Sequence, residues 1–343
     1  MIRIIILLLL PVMAQAETIR IATYNTELSR DGPGLLLRDI RRGDDQVTAV
    51  IGVLAQTRPD IIALQGIDWD FEGQALAALA SRLREAGLDY PYTFADRPNS
   101  GLETNLDMDG DGRTSGPGDA QGWGRFTGQG GLAVMSRYPI ALDQVQDLSD
   151  LLWRDLPGAE LPHRGTAPFP SEQAQNVQRL SSVAHWVVPI ETPGGPLDLM
   201  TFHASPPVFD GPEDRNGLRN RDEIRLWSAV LDGDVGRAPS GPFVIAGDVN
   251  LDPERGDGRK EAIRNLLNDP RVQDPSPESP SGELTTVVWK AVGAMRVDYV
   301  LPSKHWQVAD SGVHWPAAGT NERKTAETAS RHRLIWVDLK LPR

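Results

Sequence analysis

The sequence predicts an α/β fold in which two sheets pack face to face and helices lie outside them. Three observations carry the prediction. Short apolar runs recur along the chain, and several are apolar at every position, as in strands covered on both faces. Segments with apolar residues at three- and four-residue spacing are interspersed among them, as amphipathic helices require. Gly and Pro punctuate most of the junctions.

Residues 18–25 alternate around Ile19 and Ile21 and read as a first strand, ending in Tyr24-Asn25-Thr26-Glu27. Val47, Val50, Ile51 and Leu54 recur at helical spacing, with Pro59 beyond them. Residues 61–64 are a second buried strand that runs into Gln65-Gly66-Ile67-Asp68. Leu76, Leu79 and Leu83 mark a second helix, which Gly87 stops. Residues 95–130 are rich in Gly and Asp and almost free of aliphatics, so they read as one long functional loop. Strand character returns at 131–137, and the Pro-rich residues 154–179 read as a surface loop. Residues 183–190 and 197–203 form a strand pair around a Pro193-Gly194-Gly195 turn. A helix carrying Ile224, Trp227 and Leu231 follows the polar stretch 210–222. Next come the strand 243–246, which runs into Gly247-Asp248-Val249-Asn250, and a helix with Ile263, Leu266 and Leu267. Residues 270–283 are loop, and 296–301 and 334–339 are the last two strands. No internal repeat or linker interrupts the pattern, which predicts one domain.

The chain has 343 residues at 40% apolar content, enough for a large core. Its formal net charge of −12 argues against sequence-blind binding to nucleic acid, which runs on Lys and Arg. It leaves room for a nuclease whose metal ions meet phosphates locally. Without cysteine there is neither a disulfide framework nor thiolate chemistry. Residues 1–16 read as a secretory signal peptide: Arg3, an apolar run over 4–10, and Ala14-Gln15-Ala16 as a cleavage site. Cleavage after Ala16 leaves a domain over 17–343 and places it outside the cell or in the periplasm. The apolar run is too short for stable membrane insertion.

Polar residues collect where the predicted strands end. Period-two geometry sets Asp248 and Asn250 on one face. A carboxylate beside an amide suits a divalent cation, or a water and a phosphate oxygen. Asn25 and Glu27 repeat the spacing, and His203, Asp298 and His332 stand at comparable positions. Alone, His203 reads as a core histidine, Asp298 as a turn cap, and His332 between two arginines as a surface residue. Together they read as one site.

The ordered segments are Tyr-Asn-Thr at 24–26, Ile-Ile-Ala-Leu-Gln at 61–65, Ser-Arg-Tyr-Pro-Ile at 136–140 and Thr-Phe-His at 201–203. Gly-Asp-Val-Asn at 247–250, Val-Asp-Tyr-Val at 297–300 and Arg-His-Arg at 331–333 follow. This set resembles the endonuclease/exonuclease/phosphatase superfamily, which includes AP endonucleases, deoxyribonuclease I, inositol phosphatases and bacterial sphingomyelinases. The resemblance implies a deoxyribonuclease I-like four-layer α/β sandwich of two mixed sheets flanked by helices. It implies a hydrolase of phosphate esters, which the signal peptide makes an exported one, acting on a small phosphorylated substrate or on nucleic acid with Mg2+ or Mn2+. By that resemblance His332 meets the scissile phosphate and Asp248 orients or deprotonates the attacking water. Asn250 and Asn25 hold phosphate oxygens and the metal environment, His203 is a second phosphate-side histidine, and Asp298 supports metal or histidine.

Two positions depart from the family pattern. Gly66 stands where Leu-Gln-Glu supplies the main metal ligand, and Arg331 where Ser-Asp-His orients the histidine. A rebuilt site would draw its metal carboxylates from Asp68, on the same face as Gly66 in an extended strand, and from Glu27. Arg331 would then grip phosphate as a bidentate fork, with Arg125 in the Gly-rich loop reaching the same anion or facing solvent. The alternative is a catalytically impaired phosphate- or calcium-binding member of the same fold.

Asp107, Asp109 and Asp111 with Gly112 copy the first half of a calcium loop. The twelfth position is Gly118, with Asp119 one later, and no helix pattern flanks the segment, so it is not an EF-hand. Alternating acids on a tight turn repel one another without a cation. That predicts a Ca2+ staple over 107–119.

Overall fold

The computed structural model describes residues 18–340; the predicted signal peptide lies outside them. In chain order the main strands are β1 (Ile19–Leu28), β2 (Ile61–Ile67), β3 (Tyr92–Phe94), β4 (Gly131–Ser136), β5 (Gln146–Asp147) and β6 (His185–Thr192). They continue with β7 (Gly195–His203), β8 (Phe243–Asp248), β9 (Asp298–Pro302), β10 (Gln307–Val313) and β11 (Ile335–Lys340). One sheet has the order β10-β11-β1-β2-β4-β3, the other β9-β8-β7-β6-β5. Both are mixed. The β1–β2 and β7–β8 pairs are parallel, and the pairs that flank them are antiparallel.

Alternation along the strands builds the layers. Ile21, Ile61, Ala63 and Val134 point inward and meet Trp186, Val188, Leu199, Val244 and Val300 of the facing sheet. The intervening residues Ala22, Tyr24, Ile62 and Leu64 point outward. They pack on helices α1 (Leu35–Arg42), α2 (Asp45–Thr57) and α3 (Gln74–Glu85). On the far side Val187, Met200, Phe202 and Ile245 are covered by Ile224, Trp227 and Val230, and by Ile263 and Leu266. The result is the four-layer sandwich, helix–sheet–sheet–helix. Each fully buried Leu, Ile or Phe contributes about 1.5–3 kcal/mol relative to exposure.

Three differences from the sequence reading have physical causes. The short helix Glu172–Val177, α4, interrupts the predicted 154–179 loop. The helix predicted around Ile224 spans Arg215–Asp232, as α5, and so begins inside the polar stretch. Its Arg219, Asn220, Asp222 and Glu223 are buried, so a bonded polar face imitates a solvated one. After α6 (Glu261–Leu267), β10 and helix α7 (Asn321–Ala329) form without an apolar pattern and precede β11. In α7 only Ala326 and Ala329 are buried, and β10 is a largely exposed edge strand. Among the described residues, no helix is long and apolar enough to cross a membrane.

Candidate active site

Strand register assembles the centre. Asp248 ends β8, and it lies opposite His203 of β7 on one side and Asp298 of β9 on the other. β1, in the other sheet, delivers Asn25, and the approach to β11 delivers His332. Asp248 and Asp298 are fully buried.

Hydrogen bonds join the set. Asn25 Nδ2 donates to Asp248 Oδ2 at 2.8 Å. His203 Nε2 lies 3.4 Å from that same oxygen. His332 Nδ1 sits 3.0 Å from Asp298 Oδ2 and 3.8 Å from Asp248 Oδ2. Trp289 packs edge-on against the His332 ring. Two histidines therefore each face an aspartate, and Asp248 lies near both.

The electrostatics separate the two histidines. Burial alone would lower the His332 pKa, but the charges of Asp298 and Asp248, the Asp298 hydrogen bond and Glu27 together raise it to about 9. His203 moves the other way: burial lowers it more than Asp248 can raise it. Burial pushes Asp248 up, reinforced by the charge of Asp298, while the two histidines and Asn25 oppose the shift. One imidazolium, one neutral imidazole and a proton-hungry carboxylate thus lie side by side, a combination suited to acid–base chemistry.

Beside this centre lies a second charged unit. Glu27 Oε1 accepts from Arg331 Nε at 2.7 Å and also from Nη2, while Oε2 accepts the Arg331 backbone N–H at 2.7 Å. Burial would raise the Glu27 pKa, but the hydrogen bonds from Arg331 hold it below its ordinary value. Ser330 Oγ donates to the Asn25 carbonyl at 2.8 Å and accepts the His332 N–H at 3.1 Å. The Arg331–His332 turn is thereby tied to β1.

Several predicted residues stand differently from the extended-strand expectation. Asn250 has left the sheet with φ 53°. Its N–H donates to Asp248 Oδ1 at 2.8 Å and its Nδ2 to the Ala204 carbonyl at 2.9 Å, so it braces the loops instead of lying parallel to Asp248. A bulge at Gly66, φ +67°, breaks the alternation of β2. Asp68 consequently does not join the Asp248–Asp298–His332 group; its oxygens accept the N–H groups of Arg30 and Gly130 at 2.8 and 2.9 Å. Arg125 is half-exposed and pairs with Asp31. In the long loop Asp107 and Asp109 cluster with Asp119, while Asp111 accepts the Arg113 N–H.

Sequence reasoning missed the supports. Asn220 of α5 donates to the carbonyls of Ser205 and Val249, both at 2.8 Å, and so links the loops that follow His203 and Asp248. Glu223 accepts the N–H groups of Ser182 and Ser205 at 2.6 Å each. The one available signal was a polar face directed at the strands on a helix that also carries Trp227.

The divalent ion implied by the resemblance can be tested against these donors. Asp248, Asp298 and His332 offer atoms within 4.8 Å of one another, as do Asp107, Asp109 and Asp119. In the first group the His332 nitrogen facing the acids is the one bonded to Asp298, and Asp248 already accepts from Asn25 and Asn250. The carboxylates missing at 66 and 331 are not replaced by Asp68, and both Glu27 oxygens are engaged by Arg331. This donor set does not fit the family's ion at its usual seat. The second group, three carboxylates on one loop, is of the oxygen type that suits a hard cation.

Solved structures share the fold. The endonuclease/exonuclease/phosphatase from Beutenbergia cavernae is 19% identical with a TM-score of 0.57, covering 94% of this chain and 72% of that one. A family protein from Leptotrichia buccalis is 17% identical with a TM-score of 0.56, covering 95% and 100%. The human Nocturnin catalytic domain with bound sulfate anion is 14% identical with a TM-score of 0.51, covering 95% and 94%. No curated protein matches the chain. The model of the Endonuclease/Exonuclease/phosphatase family matches residues 22–332, nearly the whole described chain, and the protein belongs to that family.

Proposed function

We propose that the protein hydrolyses phosphate esters at the centre formed by His332, Asp298, Asp248, His203, Asn25 and Asn250. One observation carries the reading: two Asp–His pairs of opposite electrostatic character meet in one buried cluster, with Asp248 bonded across the sheets to Asn25. In hydrolysis the oxygen of water bonds to phosphorus and the ester P–O bond breaks. Asp248, whose burial favours the protonated form, takes the proton of the attacking water. His332, protonated up to about pH 9, returns a proton to the leaving oxygen, and Asp298 holds its ring in place. The Asn25 amide presents its remaining N–H to the phosphoryl oxygens, where charge builds in the transition state, while His203 and Asn250 hold Asp248 from its two sides. The net charge of −12 favours a small phosphorylated substrate over nucleic acid.

The test is hydrolysis of bis-nitrophenyl phosphate and nitrophenyl phosphate. Asp248→Ala and His332→Ala should each lose roughly 100-fold or more in kcat. An Asp248→Ala protein with full activity would defeat the assignment. Export, read from residues 1–16, is checked by intact mass: a soluble protein that retains Met1 contradicts it. For the long loop the acids that approach are Asp107, Asp109 and Asp119, and they support a Ca2+ site there.

A further inference from the structure

Members of the family are generally dependent on a divalent metal. At this catalytic centre three observations point away from one. The first concerns Gly66. A β-carbon there would lie 2.5 Å from Asn25 Oδ1 and 3.1 Å from the Glu27 nitrogen, and φ is +67°. The space that a residue-66 side chain would enter is filled by the amide that holds Asp248. The sequence has not merely lost an acid here, because the backbone and Asn25 have closed over its place.

The second observation concerns Glu27, a carboxylate outside the Asp–His pairs that shares the Ser330 hydroxyl with the His332 backbone. Arg331 reaches it with Nε, Nη2 and its own backbone N–H, so both oxygens are taken. A cation would have to displace a guanidinium that gives Oε1 two charge-assisted hydrogen bonds, among the stronger partners a carboxylate has. The third is charge. A dication held by two carboxylates sums to zero. Removing the dication together with both carboxylates leaves the charge unchanged, Arg331 then adds +1, and Glu27 in contact with it supplies the offsetting −1. A guanidinium thus carries positive charge on the residue next to His332.

We propose that Arg331, clamped by Glu27, takes the place of the divalent cation and grips the substrate's phosphoryl oxygens directly, so that this centre binds phosphate without a metal. The proposal rests on the phosphate-ester reading above. The geometry suits it. Arg331 immediately precedes His332, and Ser330 fastens both to β1. The Arg331 side chain is 65% exposed, and its Nη1 has no partner among the described residues, so donor capacity remains for an anion. Glu27 fixes the fork in direction, which a flexible exposed arginine would otherwise lack.

The experiment is calorimetric titration of the EDTA-treated protein with inorganic phosphate, repeated in Mg2+ and in Mn2+. Phosphate should bind in EDTA, and neither metal should tighten it. Arg331→Ala should weaken binding roughly 10- to 100-fold, the loss expected for charge-assisted hydrogen bonds. Arg331→Lys should recover only part of it, because a point charge cannot hold Glu27 and an anion with a planar fork. Circular dichroism checks that the variants fold. Phosphate binding that requires Mg2+ or Mn2+ overturns the proposal, as does an Arg331→Ala protein that binds phosphate like the wild type. Nitrophenyl ester hydrolysis, measured in parallel, separates the two ideas. Metal-free phosphate binding through Arg331 without turnover defeats the hydrolytic reading and leaves the clamp standing.

Discussion

Asn25 of one sheet donates its Nδ2 to Asp248 Oδ2 of the other at 2.8 Å, and this bond closes the sandwich at the end that carries the Asp–His pairs. Asp248 is wholly buried, so its charge depends on such donors. Asn25→Ala should cost about 1–3 kcal/mol of stability, the usual penalty for leaving a buried acceptor short of a partner. Asn25→Asp should cost more, since it sets one carboxylate against another. Thermal unfolding of the two variants checks the order. Equal melting temperatures for Asn25→Asp and the wild type would show that the sheets do not lean on this contact.

His332 gives the protein a pH dependence of definite sign. Its pKa in the folded state is raised to about 9 from an ordinary 6.5, so folding binds the proton more tightly than the unfolded chain does. The stability it contributes is full below about 6.5 and is lost as pH rises through about 9. Melting temperature should therefore decline across that window. The decline should disappear in His332→Gln. Under the proposed mechanism hydrolysis should fall on the same alkaline limb, because the proposed proton donor to the leaving oxygen is gone. On the acid side it should fall as Asp248 takes a proton, above the ordinary carboxylate range because burial raises it.

Gly66 is constrained both by its backbone and by its neighbour. With φ +67° and Asn25 Oδ1 2.5 Å from any β-carbon, Gly66→Ala should destabilise by about 1–3 kcal/mol. Gly66→Glu restores the family's letter but should not restore its ion, because the new side chain must first expel Asn25. Denaturant midpoints measure the first expectation. Mg2+ stimulation of ester hydrolysis in Gly66→Glu, at wild-type stability, would contradict the second.

The sandwich was legible because its strands are long apolar runs that alternate between two cores. Asp248, His203 and Asp298 were legible for the same reason: each marks the end of such a run. What strand periodicity could not reveal lies where the chain leaves regular geometry. The bulge at Gly66 sends Asp68 to the N–H groups of Arg30 and Gly130, and the positive φ of Asn250 turns its amide to Ala204. Alternation assumes an extended chain, and both residues sit just past the point where it stops being one. Asn220 and Glu223 were hidden for another reason. Their polarity read as a wet helix face, whereas burial with bonded partners makes it a dry scaffold.

The long loop offers its own test. Asp107, Asp109 and Asp119 bring carboxylate oxygens within 4.8 Å of one another. Asp119 is only 4% exposed. Burial raises its pKa, and the charges of Asp109, Asp111 and Asp107 add to the rise. A bound Ca2+ would relieve that repulsion. At a tenfold excess over its Kd, Ca2+ should add about 1.4 kcal/mol of stability by mass action, read as a rise in melting temperature. Asp119→Asn should abolish the rise. Asp111→Asn should leave it in place, because Asp111 is outside the cluster and accepts the Arg113 N–H instead. An unchanged melting temperature at millimolar Ca2+, with no heat on titration, removes the calcium assignment and leaves the loop fastened by its own hydrogen bonds, among them Asp119 Oδ1 to the Met108 N–H at 3.0 Å.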